Sequence, residues 1–168
     1  MSGATRIGSG IDVHAFGPAV AGATVVLAGV RIPADAALEG HSDADVVAHA
    51  VIDALLGAAG LGDIGSRFGV DDPAVAGADS MGMLDEVVTE LATSGWRTGN
   101  LDVTVVAARP RVAPHRQAMR DRLAEALGVE PSVVSVKATT TDGLGSIGRG
   151  DGVAAWVVAL IQRAVPAE

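Results

Sequence analysis

The sequence predicts an α+β fold, a single domain over residues 1–168 in which helices pack on one face of a mixed β-sheet. Two observations carry that prediction. Runs rich in β-branched residues recur from one end of the chain to the other, and stretches of helical period lie between them in the order ββααβαββ. No repeat, linker or low-complexity tract divides the chain.

Residues 5–13 read as the first strand and TVVLAGVRIP (24–33) as the second, joined by a Gly/Pro/Ala return suited to a hairpin. A helix is expected after Ser42, with Ser42 as N-cap, Asp43 in the first turn and Asp45 as the acidic partner of a capping box. Its body sets Val47, Val51, Ala54, Leu55 and Ala58 on one stripe. Residues 61–80 hold too much Gly, Asp and Pro for regular structure, and so long an irregular stretch points to function. A second helix is expected over 80–94, ended by Gly95. NLDVTVVAA (100–108) alternates as a strand until RPRVAP breaks it, and a third helix spans 115–128 with Gly128 past its end. VVSVKAT (133–139) is a strand. The β-branched content of 153–165 favours a strand there too.

Composition narrows the function. A net charge of −8 repels extended nucleic acid, and the chain offers only Trp96, Trp156, Phe16 and Phe68 as stacking rings. The absence of Cys removes disulfides, thiolate metal sites and Cys nucleophiles, so any metal takes N and O ligands. The N-terminus lacks an apolar signal region, and VAAWVVALI (153–161) is too short to span a bilayer. A cytoplasmic protein with no membrane or nucleic-acid partner is the expectation.

GIDVHAFG (10–17) places Asp12 and His14 on the same side of a strand. His49 lies on the first helix, four residues from both Asp45 and Asp53, which flank it as candidate hydrogen-bond partners. Asp12, His14 and His49 would form an Asp-His-His set that leaves a zinc ion one open position, the pattern of a catalytic site. Ordinary histidines tied to nearby acids explain the same residues, and spacing across two elements does not decide. KATTTDGLGSIGRGDG (137–152) contains GxGxxG at Gly143, Gly145 and Gly148, but too little chain follows for a dinucleotide-binding unit. Its backbone N–H groups and Thr hydroxyls suit phosphate, and Asp142 suits a hard divalent cation; a plain turn between strands is the competing reading. GDIG (62–65) offers a carboxylate to a sugar diol, and ARPRVAPHR (108–116) is the one concentrated basic patch.

Taken together, GIDVHAFG, GHSDADVVAHAVIDALLGAAGLGDIG, GADS and KATTTDGLGSIGRGDG, in this order over nearly the whole chain, resemble the 2-C-methyl-D-erythritol 2,4-cyclodiphosphate synthases of the non-mevalonate isoprenoid pathway. The resemblance implies a homotrimer with active sites between neighbouring subunits, and a lyase reaction. In it the 2-phosphate of a CDP-linked substrate attacks the β-phosphorus and CMP leaves. It implies zinc on Asp12, His14 and His49, and magnesium or manganese on Asp142 across the substrate diphosphate. His41 and Thr140 match residues that stabilise the transition state, with Ser42 adding a hydrogen bond. Asp63 and Gly65 match the ribose contact, with Ile64, Phe68 and Asp72 also among the substrate-binding positions. The loop from Ala107 to Ala113, with Pro110 and Arg111, and Thr139, Thr140 and Thr141, all from the adjacent subunit, match the cytidine and diphosphate pocket, and Ser146 and Arg149 fall near the expected trimer axis.

Three departures from that pattern stand out. Asp142 is one methylene shorter than the Glu of several relatives, Ser146 replaces a bulky aromatic, and Arg111 replaces Lys. Two other functions fit the Asp-His-His set: a zinc-dependent phosphoester hydrolase and a non-catalytic trimeric binding protein with structural zinc.

Overall fold

The computed structural model describes residues 4–40, 42–69 and 78–164. The first strand, β1 (Thr5–Ala19), continues six residues past the predicted end at 13, because it pairs antiparallel with the last strand, β7 (Gly152–Arg163), from Thr5↔Gln162 to Ala15↔Gly152. β7 pairs in turn with β5 (Trp96–Ala107), and β5 runs parallel to β6 (Val134–Thr139). A short strand, β4 (Ala36–Leu38), completes the order β4-β1-β7-β5-β6, a mixed sheet as expected.

The predicted second strand is two strands. β2 (Thr24–Leu27) and β3 (Val30–Pro33) form a hairpin around Ala28 and Gly29, both at positive φ. That pairing of two left-handed residues is the geometry of a type I′ two-residue hairpin. Ala-Gly is a weak signal for it, which is why the segment reads as continuous.

Helices α1 (Val46–Ala59), α3 (Ser80–Thr93) and α4 (Arg116–Leu127) bury Leu55, Leu84, Val87, Met119 and Leu123 with Leu101, Val103, Val105, Val157 and Ile161 of the sheet. The predicted helices over 80–94 and 115–128 therefore hold, with Gly128 in the left-handed C-cap position. The other face of the sheet is uncovered in this chain. Ile7, Ile11 and Trp156 there are 70%, 57% and 56% exposed.

The start of α1 corrects the expectation. Asp45, not Ser42, is the N-cap: its carboxylate accepts from Val47 N and Ala48 N and also from Ala28 N and Gly29 N of the hairpin turn. One buried carboxylate thus satisfies donors from two segments, and Ser42 is left for other work. Within 61–80, expected to be irregular throughout, Asp63 caps a short helix, α2 (Ile64–Phe68). A last short helix, α5 (Gly145–Arg149), ends at Gly150 in the left-handed conformation.

Candidate active site

Two glycines bring α1 against β1. A Cβ on Gly8 would lie 2.1 Å from the Ala54 carbonyl oxygen, and one on Gly10 would lie 2.0 Å from that of Ala50. Side chains alternate along a strand, so Asp12 and His14 continue the same inward row. They meet His49, which α1 presents one turn before Asp53.

The three side chains converge. His14 Nε2 lies 2.8 Å and His49 Nδ1 3.0 Å from Asp12 Oδ2, and the two nitrogens are 3.3 Å apart. Among the described residues this is the one cluster of His and carboxylate groups close enough to share an ion.

Hydrogen bonding assigns the protons. His14 Nδ1 faces the Glu39 carbonyl oxygen, an acceptor only, so Nδ1 carries the hydrogen and Nε2 presents a lone pair in the neutral ring. Ser80 spends its single hydroxyl hydrogen on Asp43 Oδ1, 2.5 Å away, and its oxygen accepts from His49 Nε2 at 2.9 Å. Ser42 Oγ lies 3.0 Å from the same nitrogen. His49 Nδ1 is then also a lone pair. Two imidazole lone pairs and a carboxylate aimed at one another fit a divalent cation of zinc's type, which takes N and O donors.

Without a cation, the same site draws a proton onto His14 instead. At Asp12 burial opposes ionisation, but hydrogen bonds and charge attraction from His14 and His49 outweigh it and hold the carboxyl well below the usual carboxylate range. His14 is raised, chiefly by its hydrogen bond to Asp12, against burial and with help from the Glu39 carbonyl. A proton on Nε2 occupies the place a cation would take.

The expected partners of His49 are elsewhere. Asp45 is committed to the backbone donors above, and Asp53 accepts from Ile64 N at 2.8 Å, tying α1 to α2. Burial raises the Asp53 carboxyl. The actual partners are Ser80, the first residue of α3, and Ser42, with Asp43 behind them. Ser80 and Asp43 escape sequence reasoning because the contact spans 37 residues and no local spacing records it.

The other predicted positions form two groups. Asp63 is exposed, its carboxyl lowered by the Ser66 backbone N–H and hydroxyl; Gly65 follows it in α2, while Ile64 and Phe68 pack partly against the core. Two strands across the sheet and level with His14, Ala107 closes β5 and leads through Pro110 and exposed Arg111 to a single 3-10 turn beginning at Ala113. Thr139, Thr140 and exposed Asp142 extend from the adjacent end of β6, where Val106 pairs with Thr139. Thr140 and Asp142 bond each other, Asp142 at φ 51. Thr141 donates to the Leu144 carbonyl. Ser146 and Arg149 are exposed on α5, with Arg149 paired to Asp151 at 3.0 Å.

The register carries His14↔Val153↔Ala107 across β1, β7 and β5, with β6 one strand further. At the usual strand spacing Thr139 lies roughly 14 Å from the His14 strand. Within one chain Thr139 therefore stands three strands away from the strand that carries Asp12 and His14. His41 and Asp72 lie outside the described residues.

The YgbB family model matches residues 5–162. The chain belongs to the YgbB family. It is 56% identical over 155 residues to the 2-C-methyl-D-erythritol 2,4-cyclodiphosphate synthase of Symbiobacterium thermophilum, covering 92% of this chain and 97% of that one. IspF of Plasmodium falciparum, solved as a CDP complex, superposes with a TM-score of 0.84 at 28% identity over 98% of this chain and 100% of that one. The bifunctional IspDF of Campylobacter jejuni gives 0.91 at 38% identity over 96% of this chain, which spans 43% of its length. Among the described residues of this YgbB-family chain, no helix is long and apolar enough to cross a membrane.

Proposed function

We propose that the protein converts 4-diphosphocytidyl-2-C-methyl-D-erythritol 2-phosphate to 2-C-methyl-D-erythritol 2,4-cyclodiphosphate and CMP. The observation that carries this reading is the convergence of Asp12, His14 and His49 lone pairs in a chain so close to named cyclodiphosphate synthases. An oxygen of the 2-phosphate forms a bond to the β-phosphorus, and the bond from that phosphorus to the bridging oxygen breaks. CMP leaves with the electron pair, and no water enters. The classification is a phosphorus–oxygen lyase.

An intramolecular phosphoryl transfer asks mainly for positioning and charge stabilisation. A zinc ion held by Asp12, His14 and His49 would supply charge neutralisation and Lewis-acid polarisation of phosphate oxygen. Asp142 would offer a hard oxygen ligand to magnesium or manganese, which would neutralise charge on the substrate diphosphate. Thr140 and His41 donate to phosphate oxygens, and Ser42 adds a hydrogen bond; Asp63 and Gly65 take the ribose, Asp72 is a further substrate contact, and the loop from Ala107 to Ala113 takes the cytidine.

A homotrimer completes this arrangement. Its support is twofold: the exposed Ile7, Ile11, Val13 and Trp156 face needs a cover, and Thr139, which leads into the TTTD segment, lies three strands from the cluster in one chain. Apolar patches of this kind on one sheet face mark association surfaces. The reading includes a cytoplasmic setting, where a charged nucleotide substrate diffuses freely.

The test is incubation with the CDP-linked substrate, zinc and magnesium. CMP and the cyclic diphosphate in equal amounts are the expected products. A linear 2,4-bisphosphate carrying an oxygen from labelled water would overturn the cyclase in favour of a hydrolase. Unfolding on chelation, without turnover, would instead mark a structural metal.

A further inference from the structure

The side chain of Arg109 crosses between segments that the proposed function needs in register. Its guanidinium lies over the Phe16 ring at 4.2 Å from the centroid, two residues past His14 on β1. Its Nε donates to the Gly150 carbonyl at 3.1 Å, the residue that closes α5 after the TTTDGLG segment. Nη1 reaches Asp35 Oδ2 at 3.5 Å.

The main chain makes a parallel tie, since Phe16 N donates to the Asp151 carbonyl. Beside the guanidinium is a cavity of about 130 Å³ lined by Phe16, Pro33, Ala34, Asp35, Arg109 and Pro110. Directed contacts, rather than close packing all round, therefore hold the side chain. Gly150 leaves room for it: at φ 80, a Cβ there would come within 3.1 Å of Arg109 Nε.

We infer that Arg109 is a positioning residue, bracing the 107–113 loop against β1 and the end of α5 and so setting the shape of the cytidine pocket without touching substrate. The inference rests on the proposed cyclase reading for what occupies that loop. An Arg suits the task because its planar group stacks on an aromatic while its Nε–H stays in a fixed direction; Lys offers neither. The Asp35 contact is long and Asp35 is largely exposed, so the Gly150 and Phe16 contacts carry the brace.

The experiment compares Arg109→Met and Arg109→Lys with the parent protein. The expected result is a KM for the CDP-linked substrate raised about tenfold in both, with kcat within about threefold and the Kd for CDP by calorimetry raised in parallel, as expected for loss of one charge-assisted hydrogen bond and a stacked cation. A merely structural role would lower the folded fraction and the Tm while leaving KM and Kd of the remaining protein unchanged. A rise in both constants of less than about threefold in the folded variants overturns the inference. Failure of the parent to bind CDP or release CMP would instead sink the cyclase reading, so the two failures are distinguishable.

Discussion

The Ser80 hydroxyl donates to the Asp43 carboxylate, and that bond decides which nitrogen of His49 is free for a cation. With its one hydrogen committed, Ser80 must accept from Nε2, leaving the Nδ1 lone pair facing Asp12 and His14. Removing Ser80 leaves only Ser42 at the Nε2 side of the ring. Ser80→Ala is expected to weaken zinc binding by ~10–100-fold, the usual effect of losing a partner behind a metal ligand, while the fold persists. Chelator competition measures it. His49→Ala, which deletes a donor, is the reference and should abolish turnover; equal zinc affinity in Ser80→Ala and the parent would refute the assignment.

The pH dependence of zinc affinity follows from the same ring. His14 in the folded, cation-free protein is raised above its ordinary 6.5 and Asp12 lowered below its ordinary 3.8. The stability His14 gives the cation-free protein is complete below 6.5 and is lost as pH rises through its raised value. That of Asp12 is complete above 3.8 and is lost as pH falls through its lowered value. Cation binding runs the other way on the alkaline side, because proton and cation compete for His14 Nε2. Zinc affinity should rise by about tenfold per pH unit from pH ~6 and level off once His14 is deprotonated. Calorimetry across that range giving a flat affinity would contradict the competition.

Gly10 is the point at which a single methyl group should pull the site apart. The added Cβ would meet the Ala50 carbonyl at 2.0 Å and the Ala54 nitrogen at 2.8 Å, both backbone and unable to rotate away. Gly10→Ala must push α1 off β1 or break the helix. Overpacking of this kind costs about 1–3 kcal/mol or more. The expected outcome is a lowered Tm together with weaker zinc binding, since His49 rides on the displaced helix. A variant with full zinc affinity would show that the close approach does not set the ligand geometry.

Much of this was legible in the residues, and the misses share a cause. Strand β5 and helices α3 and α4 follow local rules: alternation against a one-sided core, a left-handed stop at Gly95 or Gly128, and apolar residues at helical spacing. The Asp12–His14 row is legible for the same reason. Ser42 and Asp45 match a capping box locally, yet the backbone N–H groups of Ala28 and Gly29 arrive from a separate hairpin and claim the Asp45 carboxylate. Asp53 likewise turns to Ile64 N rather than to His49. In each case a buried donor from a distant segment outweighs the neighbour four residues away, and local spacing carries no record of it.

Asp45 provides the test of that point. Fully buried, it accepts from Ala28, Val47 and Ala48 through Oδ1 and from Gly29 through Oδ2. It caps α1 and at the same time holds Ala28 at φ 53, a conformation that costs a non-glycine residue about 1–2 kcal/mol. Asn at this position keeps one acceptor oxygen but turns an NH2 group towards a backbone N–H, so at least one buried donor loses its partner. Asp45→Asn should therefore destabilise by ~2–4 kcal/mol, combining a weakened cap with an unsatisfied donor. At about 2–4 °C per kcal/mol for a domain of this size, Tm should fall by roughly 5–15 °C at fixed protein concentration. Amide exchange at Ala28 and Gly29 should quicken as well. Exchange there at the parent rate, with Tm unchanged, would mean that the carboxylate does not join hairpin and helix.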